Sequence, residues 1–320
     1  MTDRLDPAVA AVRKAVRTAV DASVHSGHLA VAVSGGADSL ALAAAARFVT
    51  ARNGIRLHGL IVDHGLQAES LAVAEKTAGL LRELGLDEVR VLRVDVTGKG
   101  GVEAAARRAR YTALRDALPA PDALVLLGHT RDDQAETVLL GLGRGSGPRS
   151  IAGMRPLDPP WLRPLLDLPR VTTRAACHAL GITPWEDPHN ADPAYTRVRL
   201  RAEVLPLLED VLHGGVSDAL ARTAAQLRED TDALDQIAEN LVPHKGNTLD
   251  VEELAAHPPA IRRRVLRRWL LAAGVPELTD QHLRSVDALI GEWRGQGGVW
   301  LPGGLVAERA HGRLSLTASA

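Results

Sequence analysis

An apolar run, Leu29 to Val33, leads straight into Ser34-Gly-Gly-Ala-Asp-Ser39 and then into an alanine- and leucine-rich stretch, residues 40–49. An apolar run without alternation reads as a strand covered on both faces, the condition of a parallel sheet. Two glycines permit a tight turn and let the backbone approach a ligand closely. The stretch that follows is made of strong helix formers. A strand, a glycine turn and a helix N-terminus together aim main-chain N–H groups at one point, which makes an anion site. A P-loop would require G-x-x-x-x-G-K-[ST], and no such lysine follows here. Asp38 stands at the mouth instead, and a carboxylate beside a polyphosphate is stable when the two share a Mg²⁺. The plainer alternative is a strand–helix turn with Asp38 as its cap.

The rest of the chain repeats the pattern. Residues 6–26 have an amphipathic helical period, with Asp6 as cap and Pro7 in the first turn. Strands are predicted at 55–62, 88–94 and 123–127, and helices at 69–84, 102–118 and 132–142. Strands alternating with long helices predict an α/β fold with a doubly wound, mostly parallel sheet. Residues 141–169 collapse into Gly, Pro, Arg and Asp and read as a long loop. Helices return at 171–180 and 198–212, and a long connector helix is predicted at 216–241. After Pro243-His-Lys-Gly-Asn247 comes a small unit with a strand at 248–251 and helices at 259–273 and 279–291. Its last strands flank 299–302 and occupy 305–316, with Gly303-Gly304 as the hairpin signal.

Composition excludes several classes. A chain of 320 residues, 46% of them hydrophobic, suits two domains. No apolar run approaches the about 18–20 residues of a membrane span. One cysteine, Cys177, rules out an internal disulfide framework and any CxxC site, which fits the cytoplasm. It lies in a helical stretch and reads as a small buried hydrophobe. A net charge of −1 carries no bulk signal for nucleic acid. Arginines nevertheless cluster after residue 140, notably at Arg197, Arg199 and Arg201 and at Arg262, Arg263, Arg264, Arg267 and Arg268. Such patches suit a phosphate backbone, and equally a solvated helix face.

Two constellations carry chemistry. Asp132, Asp133 and Glu136 open a helix just past a strand end, and i,i+3 and i,i+4 spacing puts them on one face. Capping and the helix dipole account for one or two acids there. A third acid, together with His129 at the strand exit, points to a site for a substrate cation or a metal. Arg107, Arg110 and Tyr111 follow Glu103 at helical spacing, which taken alone is an ordinary intrahelical pairing.

Taken together these stretches resemble a known family. Ser34, Gly35, Gly36, Ala37, Asp38 and Ser39 are similar to the SGGxDS pyrophosphate loop of the N-type ATP pyrophosphatases, the PP-loop superfamily. Six further motifs run in the order of the bacterial tRNA(Ile)-lysidine synthases: Val62-Asp-His-Gly-Leu66, the Glu103/Arg107/Arg110-Tyr111 pattern, Gly128 to Thr137, Gly143-Arg-Gly-Ser-Gly147, Arg163-Pro-Leu-Leu166 and Arg197 to Arg201. Thr130 stands where a second histidine is common, Val198 where an asparagine is usual, and Asp187-Pro-His-Asn190 where D-x-S-N is typical.

The resemblance implies a five-stranded sheet of the PP-loop ATPase type, a helical extension and a small α+β C-terminal domain. The corresponding divisions are a catalytic ATP-binding domain at 1–214, a connector at 215–245 and a tRNA- and substrate-binding domain at 246–320. It implies that wobble cytidine in a CAU-anticodon tRNA(Ile) is adenylated with ATP and Mg²⁺, then attacked by free L-lysine to give lysidine. Under that reading the 34–39 loop holds pyrophosphate and Asp38 its Mg²⁺, while Val62 and His64 meet adenine. Asp132, Asp133 and Glu136 fix the lysine and Arg201, with Arg199, neutralises phosphate charge. His129 assists near the loop, and Arg107, Arg110, Arg197, Arg199, Arg263 and Arg267 touch tRNA. A membrane has no part, and a homodimer is compatible. A tRNA 2-thiolation enzyme is the nearest alternative, and the single cysteine argues against it. Carboxylate-amidating relatives would leave the acidic helix without a task. A non-catalytic nucleotide-binding regulator is the reading from another class.

Overall fold

The computed structural model describes residues 5–65, 69–97, 101–145, 147–188, 192–241 and 248–318. Leu66, Gly100, Ser146, His189, Asn190 and residues 243–247, singled out in the sequence, lie outside the described residues, as does the side chain of Glu103. The chain divides into two compact units, Met1–Gly143 with Gly153–Ala224, and Arg144–Ala152 with Ala225–Ala320.

In the first unit the strands are β1 (His28–Ala32), β2 (Arg56–Asp63), β3 (Glu88–Arg93), β4 (Leu124–Leu126), β5 (Leu157–Asp158) and β6 (Trp161–Leu162). They form one sheet of 6 strands in the order β3-β2-β1-β4-β6-β5, in which every pairing is parallel except β5 with β6. Five strands were expected. The parallel part has five, and the sixth is the two-residue antiparallel edge β5. Both β5 and β6 fall inside the stretch expected to be loop. Two residues are too few to show a period, so Trp161-Leu162 is invisible as a strand until Val125 and Leu126 pair with it.

Helices α1 (Pro7–Ser23), α2 (Ala37–Asn53), α3 (Ser70–Glu83), α4 (Gly101–Asp116), α5 (Arg131–Gly143) and, beyond a short α6 (Pro148–Ile151) of the other unit, α7 (Arg170–Ala179) surround the sheet. Leu29 and Val31 of β1 and Val33 just past it face the core shared with α1, α2, α3 and α7. Ala30 and Ala32 face the opposite way, toward Leu114 and Tyr111 of α4 and Trp161. Both faces of β1 are thus covered, as its unbroken apolar run requires. Helix α1 buries one stripe, Val9, Val12, Val16 and Val20, and Asp6 caps it by accepting from the Ala8 and Val9 N–H groups. Thr196 to Val211 is helical throughout: α8 (Thr196–Arg199), a π-turn (Leu200–Val204) and α9 (Leu205–Val211). Helix α10 (Val216–Glu239) follows.

The strand order reverses between β1 and β4, and ligands of open α/β sheets bind outside the carboxyl ends of strands at such a point. Gly128, just past β4, shows how tight the junction is. A Cβ there would lie 3.1 Å from the Asp38 carbonyl carbon and from the Ser39 nitrogen. Backbone rests on backbone where two loops meet.

The second unit holds β7 (Thr248–Asp250), α11 (Val251–Ala255), α12 (Pro259–Ala272), α13 (Asp280–Gly291), β8 (Val299–Leu301), β9 (Leu305–Ala310) and β10 (Arg313–Ala318). Its antiparallel sheet runs β7-β10-β9-β8 over a core that includes Val265, Leu266, Leu270, Val286, Leu289, Ala307 and Leu314. The strands expected over 305–316 are β9 and β10, and a second hairpin turn joins them at His311 and Gly312, which both take positive φ (48° and 75°).

Candidate active site

The 34–39 loop has the form of an anion receptor. Gly36 caps α2 without any side-chain hydrogen bond, so the first-turn N–H groups of α2 are not capped by a side chain. The loop is braced from within: Ser34 N–H donates to Ser39 Oγ at 3.1 Å, and the Ser39 hydroxyl donates to the Gly36 carbonyl at 2.9 Å. Gly35 takes φ 87°, and a Cβ there would meet Thr77 Oγ1 at 2.8 Å, so only glycine fits. The Gly35 carbonyl accepts from Trp185 N–H at 2.9 Å. Beside the loop a cleft of ≈ 260 Å³ opens over the ends of β1 and β2, lined by Ser34, Val62, Asp63, His64, Arg110 and Trp185 among others. Val62 and His64, expected from the resemblance to meet adenine, both line this cleft.

The acids of α5 and the carboxylate of the loop meet at one side chain. Arg170, in the first turn of α7, donates to Asp133 Oδ1 at 2.6 Å and to Asp38 Oδ2 at 3.1 Å, and lies 3.9 Å from Glu136 Oε1. Its backbone N–H donates to Asp132 Oδ2 at 2.8 Å. The Thr173 hydroxyl donates to the other oxygen of Asp38. Arg201 donates to Glu136 Oε1 at 2.7 Å and lies 3.6 Å from Asp133. Thr130 donates to Asp133 Oδ2 from both its N–H and its hydroxyl, each at 2.8 Å. Sequence reasoning missed Arg170 and Thr173 as functional residues. Arg170 was visible only as one of many arginines past residue 140, since nothing local announces a partner 37 and 132 positions away.

The charges divide the labour. Burial pushes the carboxyls of Asp38 and Glu136 above the ordinary range, against the pull of Thr173 and Arg170 on Asp38 and of Arg201 on Glu136. Burial also opposes the Asp133 charge, but Arg170, Thr130 and His129 outweigh it and hold this carboxyl below its usual value. Burial works against the Arg170 charge, and Asp133, Asp38, Glu136 and Asp132 more than offset it, so its pKa is raised. Cys177 is buried, its thiol donates to the Ala37 carbonyl at 3.3 Å, and burial followed by Asp38 pushes its pKa up to about 11. A thiol so placed is no nucleophile at neutral pH.

His129 sits beside these acids as a neutral imidazole. Burial lowers its pKa to about 3 against the pull of Asp133, and Arg110, Arg163 and Arg107 add to the lowering. Its Nδ1 is shielded and has no hydrogen-bond partner. A folded value below the unfolded one, about 6.5, means that the unfolded chain binds more protons, so stability falls as pH drops through the window from about 6.5 to 3. Asp38 and Glu136 act with the opposite sign. In urea unfolding at pH 6, 5 and 4, His129→Gln should lose less stability than the parent, by up to about 1.4 kcal/mol per pH unit. Equal slopes would remove the neutral, buried histidine from this account.

The predicted tRNA-contacting arginines fall into two sets. Arg107 is exposed and donates to the Tyr111 hydroxyl at 3.3 Å. Arg199 is exposed and forms a pair with Glu203 at 2.8 Å, and Arg197 is half-buried. Arg263 lies 3.3 Å from Asp287, which also receives Arg262 at 2.7 Å, so these two brace α12 against α13. Arg264 pairs with Asp235 at 3.0 Å and Arg268 with Glu239 at 3.4 Å. Arg267 is half-buried. Arg110 is half-buried and lines the cleft beside the 34–39 loop.

Comparison with known proteins fits this geometry. The model of the PP-loop domain matches residues 8–208, and that of the TilS substrate binding domain matches residues 249–315. The tRNA(Ile)-lysidine synthase of Rhodococcus erythropolis (strain PR4 / NBRC 100887) is 57% identical over 317 residues, 97% of this chain and 96% of that one. The chain belongs to the tRNA(Ile)-lysidine synthase family. The synthase of Mycobacterium tuberculosis (strain ATCC 25618 / H37Rv) is 58% identical over 275 residues, 84% of this chain and 83% of that one. Among solved structures, the U34-tRNA thiolase NcsA from Methanococcus maripaludis superposes with a TM-score of 0.55 at 18% identity, covering 69% of this chain and 79% of that one. At that identity the likeness is one of fold.

Proposed function

We propose that the chain is a tRNA(Ile)-lysidine synthase, an ATP-dependent ligase that converts the wobble cytidine of a CAU-anticodon tRNA(Ile) to lysidine. The observation that supports this reading is Arg170 bridging Asp38 of the glycine loop to Asp133 and Glu136 of the acidic helix, because a nucleotide held by the one would lie beside an amine held by the other. Cytosine O2 attacks the α-phosphorus of ATP, pyrophosphate leaves, and AMP becomes the leaving group at C2. The ε-amine of lysine then adds at C2 and expels AMP.

The residues present suit these tasks. The uncapped turn of α2 holds pyrophosphate, and Val62 and His64 receive adenine. Asp133, held ionised, anchors the lysine cation, with Asp132 in support. Glu136 has the more basic carboxyl and accepts the proton that the ammonium must lose before attack. Arg201 orients Glu136. His129, neutral at working pH, accepts or donates a hydrogen bond beside the loop.

Among the described residues no group of three or more His, Cys, Asp or Glu side chains forms a metal cage. Asp38 alone fits Mg²⁺ that arrives with the triphosphate, since this ion commonly takes one or two carboxylates plus phosphate oxygens and water. Bound there, the ion would neutralise charge on the departing pyrophosphate. The exposed Arg107 and Arg199, with Arg197 and Arg267, offer phosphate contacts to RNA, whose target base lies in a single-stranded loop and is open to capture. Among the described residues no helix is long and apolar enough to cross a membrane.

The test is mass analysis of an unmodified tRNA(Ile) transcript incubated with ATP, Mg²⁺ and L-lysine. The expected product carries one added lysine less one water, with AMP released in equal amount and only when tRNA is present. A transcript that stays unchanged while ATP binds normally would return the chain to the regulator reading.

A further inference from the structure

The acids that would hold the amine are already occupied by the protein itself. Asp133 has both carboxylate oxygens engaged: Oδ1 accepts from Arg170 at 2.6 Å, and Oδ2 accepts from the Thr130 N–H and hydroxyl at 2.8 Å each. Glu136 Oε1 accepts from Arg201 at 2.7 Å, and Asp132 Oδ2 accepts from the Arg170 N–H at 2.8 Å. The Arg170 side chain is 16% exposed and that of Glu136 2%, so water screens these charges little. An ammonium group brought to Asp133 must therefore displace the Arg170 guanidinium or share its oxygen with a like charge.

Arg170 has a second place to go. Its Nε donates to Asp38 Oδ2 at 3.1 Å, at the mouth of the 34–39 loop. A triphosphate in that loop brings more negative charge than an accompanying Mg²⁺ offsets, so it draws the guanidinium toward the loop and off Asp133. Four carboxylates, Asp133, Asp38, Glu136 and Asp132, act on Arg170, and Arg201 is the other guanidinium that reaches them. With Arg170 turned to the phosphates, Asp133 is a shielded anion short of a cation, and the substrate ammonium restores the balance. We propose that Arg170 is an internal stand-in for the substrate ammonium, so that the amine seat opens when nucleotide fills the loop. The proposal rests on the nucleotide and amine sites proposed above and adds the order in which they fill. Arg170 is in this sense a positioning residue, and the effect is reciprocal: nucleotide tightens lysine by the factor by which lysine tightens nucleotide.

Calorimetry measures L-lysine binding to the parent protein with and without Mg²⁺ and α,β-methylene-ATP, a nucleotide that cannot release pyrophosphate. The parent should bind lysine at least about ten-fold more tightly with the nucleotide, within the ordinary range of coupling between sites. In Arg170→Met the ratio should fall to within about two-fold, because the seat is open throughout. L-Lysine alone should then raise the melting temperature of Arg170→Met by about 3 °C or more and that of the parent by under about 1 °C, while L-norleucine, which lacks the ε-amine, leaves both unchanged. An arginine that only held the fold together would leave a variant that lysine does not stabilise. Arg170→Lys keeps a cation in the seat and should keep the nucleotide dependence, which serves as the second variant if methionine prevents folding. A parent whose lysine affinity ignores nucleotide, or an Arg170→Met variant that keeps the parental ratio or gains no stability from lysine, would overturn the proposal. A parent that binds lysine in neither condition would instead remove the amine-site reading itself.

Discussion

Replacing Arg170 by methionine should cut lysidine formation about a thousand-fold and lower the melting temperature by about 10 °C. Methionine keeps bulk and removes the charge that Asp38, Asp133 and Glu136 share. Breaking a buried ion pair from one side costs about 3–5 kcal/mol, because the partner charges stay buried. In a unit of this size each kcal/mol is worth about 2–4 °C. The activity loss corresponds to about 4 kcal/mol of transition-state stabilisation, since both the nucleotide grip and the amine grip lose their common brace. A pH series tests the cause. Without Arg170 the carboxyl of Asp133 loses its main stabilising charge and those of Asp38 and Glu136, already raised, rise further, so the variant gains stability relative to the parent as pH falls from 7 to 5. A variant with parental melting temperature and turnover would show that the bridge is idle.

Asp133→Asn should abolish lysine transfer, by at least about a thousand-fold, and keep ATP affinity within about three-fold. The side chain stays the same size, so the two Thr130 hydrogen bonds can persist through the amide oxygen. Its NH₂ then faces the Arg170 guanidinium, which had been held at 2.6 Å by a carboxylate oxygen. The cation seat loses its fixed anion, while the α2 turn and the cleft are untouched. Lysine titration of product formation, read beside calorimetry with ATP, separates the two effects. An unchanged lysine response would place the amine elsewhere.

The sheet and the phosphate turn were legible in the sequence because their signals are local. Leu29 to Val33 is apolar without a break, and the glycines at 35 and 36 follow at once. The acids of α5 were legible for the same reason, since three of them lie within one and a half turns. What brings them to Asp38 was not legible. Arg170 and Thr173 make their contacts across more than 100 positions to Asp38, and sequence spacing says nothing about such partners. Strand β6 was hidden because two residues carry no period. The basic run at 262–268 shows the same limit, since Asp287, Asp235 and Glu239 pair with four of its five arginines and spacing announces none of these partners.

Gly128 has an evolutionary consequence. Because the end of β4 touches the start of α2 through main-chain atoms, the interval between Asp38 and the opening turn of α5 is fixed by elements that side-chain replacement leaves alone. The acids at the head of α5 can therefore be exchanged without moving the loop that faces them.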